Sequence, residues 1–291
     1  MSAKATSSTD SQPATPLSIM TTIGTIEPFF DEIDTIVDEA KIHATEDTLK
    51  TRAVDPANVA MADTKLDTNA FGSYQFNADD EEYTLGLDID RFQQILSQGS
   101  SGDSLHLAVN PNTRKLEITI DASLEFSIAL LDPDAIRQEP DIPDLELPAT
   151  IELEAGALTR GITAADMVSD HVTLGVTADE STFYVAAEGD TDDVRDEMTE
   201  DNGLDSLIAD LSTTTTDEKN EGNEGNEENE DPSIRSLFSL DYLLDFKNAL
   251  SPRDNLKLEL GDEFPVKIHV NKTDVDHVES LYMLAPRIDA D

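Results

Sequence analysis

Near its C-terminus the chain reads Tyr282-Met283-Leu284-Ala285-Pro286-Arg287-Ile288. An apolar run closing so acidic a sequence should be pinned to folded structure. Working back from it, the second half of the chain rereads the first. In the first half, Ile26, Phe29, Phe30, Ile33, Ile36 and Val37 recur at helical spacing with one buried face. A strand pair then leads into Leu49-Lys50-Thr51-Arg52-Ala53-Val54-Asp55. In the second half Leu158, Ile162, Ala165 and Val168 give such a helix, and the same order leads into Phe183-Tyr184-Val185-Ala186-Ala187-Glu188-Gly189. Later helices open at Leu87-Asp88-Ile89 and at Leu240-Asp241-Tyr242. Each is followed by a Leu-x-Leu strand (Leu105 to Leu107; Leu256 to Leu258) and a last strand (Lys115 to Ile118; Val266 to Ile268). The pattern predicts two copies of one α+β unit, with helices on one face of antiparallel sheets.

The first helix is expected over 26–39, capped by Thr25, with Pro28 in its first turn where a missing N–H costs nothing. The others are expected near 88–98, 156–168 and 238–250. Strands are expected near 17–23, 40–44, 48–54, 58–66, 82–87, 104–109, 114–120 and 123–131, then 171–177 and 181–188. Residues 1–16, rich in Ser, Thr, Ala and Pro, read as a disordered extension. The units then span 17–131 and 149–291. Between them, 132–148 carries Pro133, Pro140, Pro143 and Pro148, which exclude helix and inner strand and predict an extended connector. An acidic insertion, about 203–233, is almost devoid of apolar residues from 212 onward. It cannot offset the entropy of ordering and is expected to be disordered.

The chain has 291 residues, 63 acidic against 19 basic, for a net charge of −44. Such self-repulsion destabilises a compact state in dilute buffer. At molar salt the Debye length falls to about 3 Å and most of the repulsion disappears. The acids are spread along the whole sequence rather than confined to tails, which points to a halophile with a salt-filled cytoplasm. With no Cys there is neither disulfide nor thiolate metal site. No stretch approaches the roughly 20 apolar residues of a membrane helix. The N-terminus has no apolar core like that of a signal peptide. A cytoplasmic protein is expected.

Catalytic chemistry finds little support. The five His residues (His43, His106, His171, His269 and His277) show no metal-ligand spacing. Phosphate-binding, nucleophile-elbow and dinucleotide motifs are absent. Carboxylate pairs such as Asp88/Asp90 and Asp132/Asp134 arise by chance among so many acids. Asp88 reads better as a helix cap and Asp132 as a turn residue before Pro133. No cofactor, metal or catalytic residue is assigned.

Three stretches carry a resemblance. They are Thr51-Arg52-Ala53-Val54-Asp55-Pro56-Ala57-Asn58-Val59-Ala60-Met61, the segment from Leu130-Leu131-Asp132-Pro133-Asp134 through Ile142-Pro143-Asp144, and Tyr282 to Ile288. In this order and spacing they resemble the sliding clamps of the proliferating cell nuclear antigen type. Gln138-Glu139-Pro140-Asp141-Ile142-Pro143 and Met167-Val168-Ser169-Asp170-His171 look especially like the haloarchaeal clamps. The resemblance covers about 17–291. It implies a homotrimeric, pseudo-sixfold ring around duplex DNA, with helices inside and sheets outside, and no enzymatic activity. The first unit's last strand (about 122–130) is expected to pair with a strand near 184–192 of the next subunit. The ring would act as a processivity factor at the nucleoid, tethering DNA polymerase, nucleases and ligase, and a clamp loader would place it. A paralogue serving repair or regulation would keep the same ring, and stimulation of a replicative polymerase separates the two.

Carried over to this sequence, the client-peptide pocket comprises Val54, Asn58, Val59, Met61, Ile142, Pro143, Tyr282, Leu284, Ala285 and Pro286. The implied DNA-facing residues are Arg91, Arg160 and Lys247. Here the chain departs from the family, whose channel helices are rich in cations. The expected helices carry eleven acids against these three bases: Glu27, Asp31, Glu32, Asp34, Asp38, Glu39, Asp88, Asp90, Asp166, Asp241 and Asp245. In a brine-filled cell enclosure, rather than attraction, would then hold the DNA.

Overall fold

The computed structural model describes residues 15–142, 145–211, 234–275 and 277–287. The N-terminal unit runs β1 (Leu17–Thr22), α1 (Ile23–Asp34), β2 (Glu39–Ala44), β3 (Thr48–Val54), β4 (Ala60–Asp67), β5 (Ser73–Phe76), β6 (Tyr83–Asp88), α2 (Ile89–Leu96), β7 (Ser104–Asn110), β8 (Lys115–Ile120) and β9 (Leu124–Ala129). The C-terminal unit repeats that order: β10 (Ala149–Glu154), α3 (Ala155–Ala165), β11 (His171–Val176), β12 (Phe183–Glu188), β13 (Asp193–Met198), β14 (Ser206–Ala209), β15 (Ile234–Ser239), α4 (Leu240–Ala249), β16 (Asn255–Leu260), β17 (Val266–Asn271) and β18 (Val278–Leu284).

The duplication extends to strand order and register. In the first unit β5-β1-β7-β8-β9 form one sheet, matched in the second by β14-β10-β16-β17-β18. Likewise β4-β3-β2-β6 matches β13-β12-β11-β15. The partners Ile19–Leu107–Ile118–Phe126 run across the first sheet as Ile151–Leu258–Ile268–Tyr282 run across its counterpart. One pairing breaks the independence of the units. Strand β18 lies against β4, with Tyr282 opposite Ala62, and fuses two of the sheets into one of nine strands.

The helices lie on one side of the sheets in the order α2-α1-α4-α3. Alternate strand residues face them and supply a core of Ile, Leu, Val and Phe. Both units begin their first helix in the same way. The amides of Ile23 and Gly24 donate to the carbonyls of Asp103 and Ser101 (3.1 and 2.8 Å), and those of Ala155 and Gly156 donate to Asp254 and Pro252 (2.8 and 2.9 Å). Loop carbonyls thus satisfy amides that a capping side chain would otherwise take. At Gly24 a Cβ would stand 2.0 Å from Ser101 Oγ and 3.0 Å from Ser101 O, so a larger residue would force the Ser101 side chain to move.

Several expectations are corrected. The first helix starts earlier and ends at Asp34, with Thr22 rather than Thr25 at its N-cap, because those loop carbonyls begin it. Asp38 and Glu39 therefore belong to a turn and to β2. Strand β12 cannot be a subunit edge near 184–192, because β11 and β13 occupy both its sides; the open edge is β13. The acidic insertion does not begin at 203, since Ser206–Ala209 pairs with β10. Strands β5, β10, β13, β14, β15 and β18 had no counterpart among the strands expected from the sequence. The N-terminal extension, up to residue 14, and residues 212–233 lie outside the described residues.

Candidate partner-binding face and channel helices

Across the outer face of the nine-stranded sheet, Val54, Met61, Met283 and Lys267 are successive cross-strand partners on β3, β4, β18 and β17. This short apolar row ends at one cation. Next to it, Arg52 on β3 pairs with Asp63 on β4 (Nε to Oδ2, 2.5 Å). The connector crosses this face and is tied down by side chains. His43 on β2 meets Glu139 (2.9 Å), Arg52 donates to the carbonyl of Pro140 (3.2 Å), and Lys267 donates to that of Leu145 (2.7 Å). The connector starts as a turn rather than an extended strand: the amide of Ala135 donates to Asp132 O (2.9 Å). It then docks on Gly86, where a Cβ would come within 2.7 Å of Leu131 O and 2.8 Å of Ile136 Cδ1.

A turn at the end of β3 completes the rim. The Asp55 carboxylate accepts from the amides of Ala57, Val59 and Ala60 (2.8, 2.6 and 2.8 Å) and from the Tyr242 hydroxyl on α4 (2.8 Å). Burial alone would raise its pKa, but these four donors outweigh burial and hold it below the usual carboxylate value. Within this turn Asn58 adopts φ 60° and accepts from Arg137 of the connector (2.7 Å). The carbonyl of Val59 accepts from the amide of Ala285 (2.9 Å). Val54 also borders a cavity of about 550 Å³ shared with Ile136 and Arg137.

The structure thus brings Val54, Asn58, Val59, Met61, Ala285 and Pro286 to one end of this face, with Ile142 half-buried on the connector above it. Pro143 lies outside the described residues. Two residues of the expected pocket are elsewhere. Tyr282 and Leu284 are completely buried and point toward the helices, because side chains alternate along β18. Tyr282 stacks on Phe246 of α4 (centroids 4.4 Å apart, 15° between planes) and its hydroxyl donates to Glu32. Met283 lies on the opposite face of the sheet from Tyr282, is itself only 6% exposed, and was missed by the sequence reading. Phe264, 49% exposed where the chain turns into β17, was missed too; its only signal was an aromatic residue beside Pro265.

The channel-side cations are mostly engaged. Arg160 makes a double hydrogen bond to Asp196 on β13 (2.8 and 2.9 Å), Lys247 donates to Thr163 (2.8 Å), and Arg91 donates to Gln94 (3.3 Å). Of the eleven expected acids, Glu32 is buried, Asp38 and Glu39 leave the helix, and Asp88 and Asp166 are caps. Glu27, Asp31, Asp34, Asp90, Asp241 and Asp245 remain on the helices. Burial raises the pKa of Asp34, and the like charges of Asp90, Asp31 and Asp38 raise it further.

A family model for the proliferating cell nuclear antigen, N-terminal domain, matches residues 21–135. The DNA polymerase sliding clamp of Haloarcula marismortui is 43% identical over 267 residues, covering 92% of this chain and 96% of the relative. That of Halobacterium salinarum is 44% identical over 265 residues, covering 91% and 95%. Among solved structures, A. fulgidus PCNA with the C-terminal region of FEN-1 bound is similar at TM-score 0.78 and 34% identity, covering 94% of this chain and all of that one. Two α+β units fused through one shared sheet, with helices on one side, are the architecture of the DNA clamps. This chain belongs to the DNA polymerase sliding clamp family, of the proliferating cell nuclear antigen type.

Proposed function

We propose that three copies of this chain close head to tail into a ring that encircles duplex DNA and tethers replication and repair proteins to it. One observation carries the ring: the β18–β4 junction inside the chain has an unused equivalent at its ends. Strand β9 occupies the place of β18, and β13 that of β4, and both are open edges. Tyr282 opposite Ala62 becomes Phe126 opposite Val194 of the next subunit. The neighbouring pairs become Glu125 opposite Arg195 and Leu124 opposite Asp196. This register joins two apolar residues and two opposite charges, and it covers edges that otherwise invite aggregation. Each contact is heterologous, so a ring requires closure, which three two-unit chains provide.

The helices would then line the channel. With six acids on them and their cations engaged, the ring holds DNA by enclosure, and salt screens the repulsion. Arg91, the least constrained base, is the best-placed DNA contact. Client peptides such as the C-terminal region of FEN-1 would seat an apolar anchor on Met61 and Met283, framed by Val54, Ala285, Pro286 and Ile142. DNA polymerase, ligase and the clamp loader would use the same face. Such a tether raises effective concentration and needs no reaction of its own; it would act in the cytoplasm, at the nucleoid.

Light scattering in molar KCl tests the ring: three times the chain mass is expected, and a single-chain particle at every concentration would remove the proposal. A Met61→Ala, Met283→Ala ring should lose most of its affinity for the FEN-1 peptide while remaining trimeric. Undiminished binding would move the pocket elsewhere.

A further inference from the structure

The connector is held by a histidine whose two ring nitrogens both meet carboxylates. His43 Nδ1 lies 2.8 Å from Glu82 Oε1, and Nε2 lies 2.9 and 3.0 Å from the two oxygens of Glu139. An ionised carboxylate only accepts hydrogen bonds, and a neutral imidazole has only one N–H to give. The geometry is therefore satisfied by the imidazolium. The side chain is mostly enclosed, 20% exposed, as is that of Glu139 at 25%.

The position of the three residues gives this ion triad a consequence. His43 sits on β2, hydrogen-bonded between β3 and the edge strand β6 of the nine-stranded sheet. Glu82 precedes β6, and Glu139 lies on the connector, three residues before Ile142. We infer that the His43 imidazolium is a protonation-dependent clasp on the connector, closed when protonated, that positions the Ile142 wall of the client-peptide site. This rests on the pocket reading above.

Other groups near the ring do not replace the clasp. Thr84 Oγ1 lies 3.0 Å from Nδ1 and can accept from it. Lys50 is the cross-strand partner on β3, Lys41 lies two residues earlier on β2, and Arg52 is committed to Asp63 and Pro140. These cations oppose the charge on His43, while the two carboxylates in direct contact favour it. The hydrogen bond to Glu139, with help from Glu82, raises the His43 pKa above its ordinary 6.5 against the effect of burial. For a raised histidine the stabilisation is complete below 6.5 and is lost as pH climbs through the folded value. Deprotonation leaves one carboxylate facing a lone pair, and the connector's first half is released. An unfastened wall must be ordered again when a peptide binds, so affinity falls.

The chain has no Cys, so Asp141→Cys gives a single spin-label site on the connector. In the full-length ring at molar KCl, label mobility should rise between about pH 6 and pH 9. Over the same range affinity for the FEN-1 peptide should fall roughly three- to tenfold. His43→Gln and Glu139→Gln should make the label mobile at every pH. His43→Lys, a cation throughout, should keep it immobile at pH 9. A label indifferent to pH in the unsubstituted background, or peptide affinity that stays flat while the label responds, overturns the inference. If the ring binds no peptide at any pH, the pocket reading fails, and label mobility still shows whether His43 holds the connector.

Discussion

The carboxylate of Glu32, on the first helix of the N-terminal unit, has no exposed surface and lies 2.5 Å from the ammonium group of Lys272 in the C-terminal unit. Lys272 also donates to the carbonyl of Ala249, at the end of α4 (2.9 Å), and Tyr282 donates to Glu32 from the side. The two units are therefore joined by a buried charge pair as well as by the β18–β4 ladder. By the internal repeat, Ala164 and Ala122 correspond to Glu32 and Lys272, so the proposed contact between subunits would have no such pair.

Removing one partner strands the other. Lys272→Met should destabilise the chain by about 3–5 kcal/mol near neutral pH. Burial, the largest influence, raises the Glu32 pKa despite Lys272. Its contribution is thus complete below 4.5 and shrinks as pH climbs through the folded value. The cost of Lys272→Met should accordingly be smaller at pH 5 than at pH 7, because acidification drives Glu32 toward its protonated form, and Glu32→Gln added to it should recover part of the loss. Urea melts in molar KCl at both pH values check this; a cost independent of pH would mean Glu32 is not charged in the fold.

Asp55 titrates in the opposite direction. Its folded pKa lies below 3.8, so its contribution is present above 3.8 and lost as pH falls through the folded value. Asp55→Asn should cost about 1–3 kcal/mol by leaving buried amides without their acceptor. Tyr242→Phe should cost less, about 1 kcal/mol. Both should weaken FEN-1 peptide binding, since the turn carries Asn58 and Val59. Melts and peptide titrations at pH 7 decide, and unchanged affinity in Asp55→Asn would detach the turn from the site.

The inferred subunit register can be tested by exchange of charge. Glu125→Arg or Arg195→Glu alone places like charges opposite each other and should shift the trimer toward monomer. The two together should restore it. The effect is modest, about 0.5–1 kcal/mol per contact for an exposed pair, and is best read by sedimentation at low protein concentration. Phe126→Asp should abolish the trimer outright. A trimer unaffected by Phe126→Asp places the interface elsewhere.

Salt should matter more here than in an ordinary domain. With −44 net charge, the urea midpoint should rise as KCl goes from 0.1 M to molar levels, where the Debye length falls from about 10 to about 3 Å. Association of the ring should follow the same trend. Equal stability at both salts would reject a protein built for brine.

The sequence determined the duplication, the four helices and most inner strands, because a buried face imposes a period of 3.6 or 2 that survives any detail of packing. It also showed Asp88 as a cap and Asp132 as a turn residue, both local hydrogen-bonding roles that the structure bears out: Asp88 accepts from the amide of Arg91 and Asp132 from that of Asp134. Among the edge strands, β5, β13, β14 and β15 left little trace. Asp193–Met198 offers only Val194 and Met198 as apolar residues, since one side of an edge strand awaits a partner. Tertiary structure alone decided that Met283 faces outward and Tyr282 inward. A one-residue change of register would exchange them, and register depends on the pairing of β18 with β4, more than 200 residues apart. It also decided which cations hold the connector, because only folding brings His43, Arg52 and Lys267 onto one face beneath it.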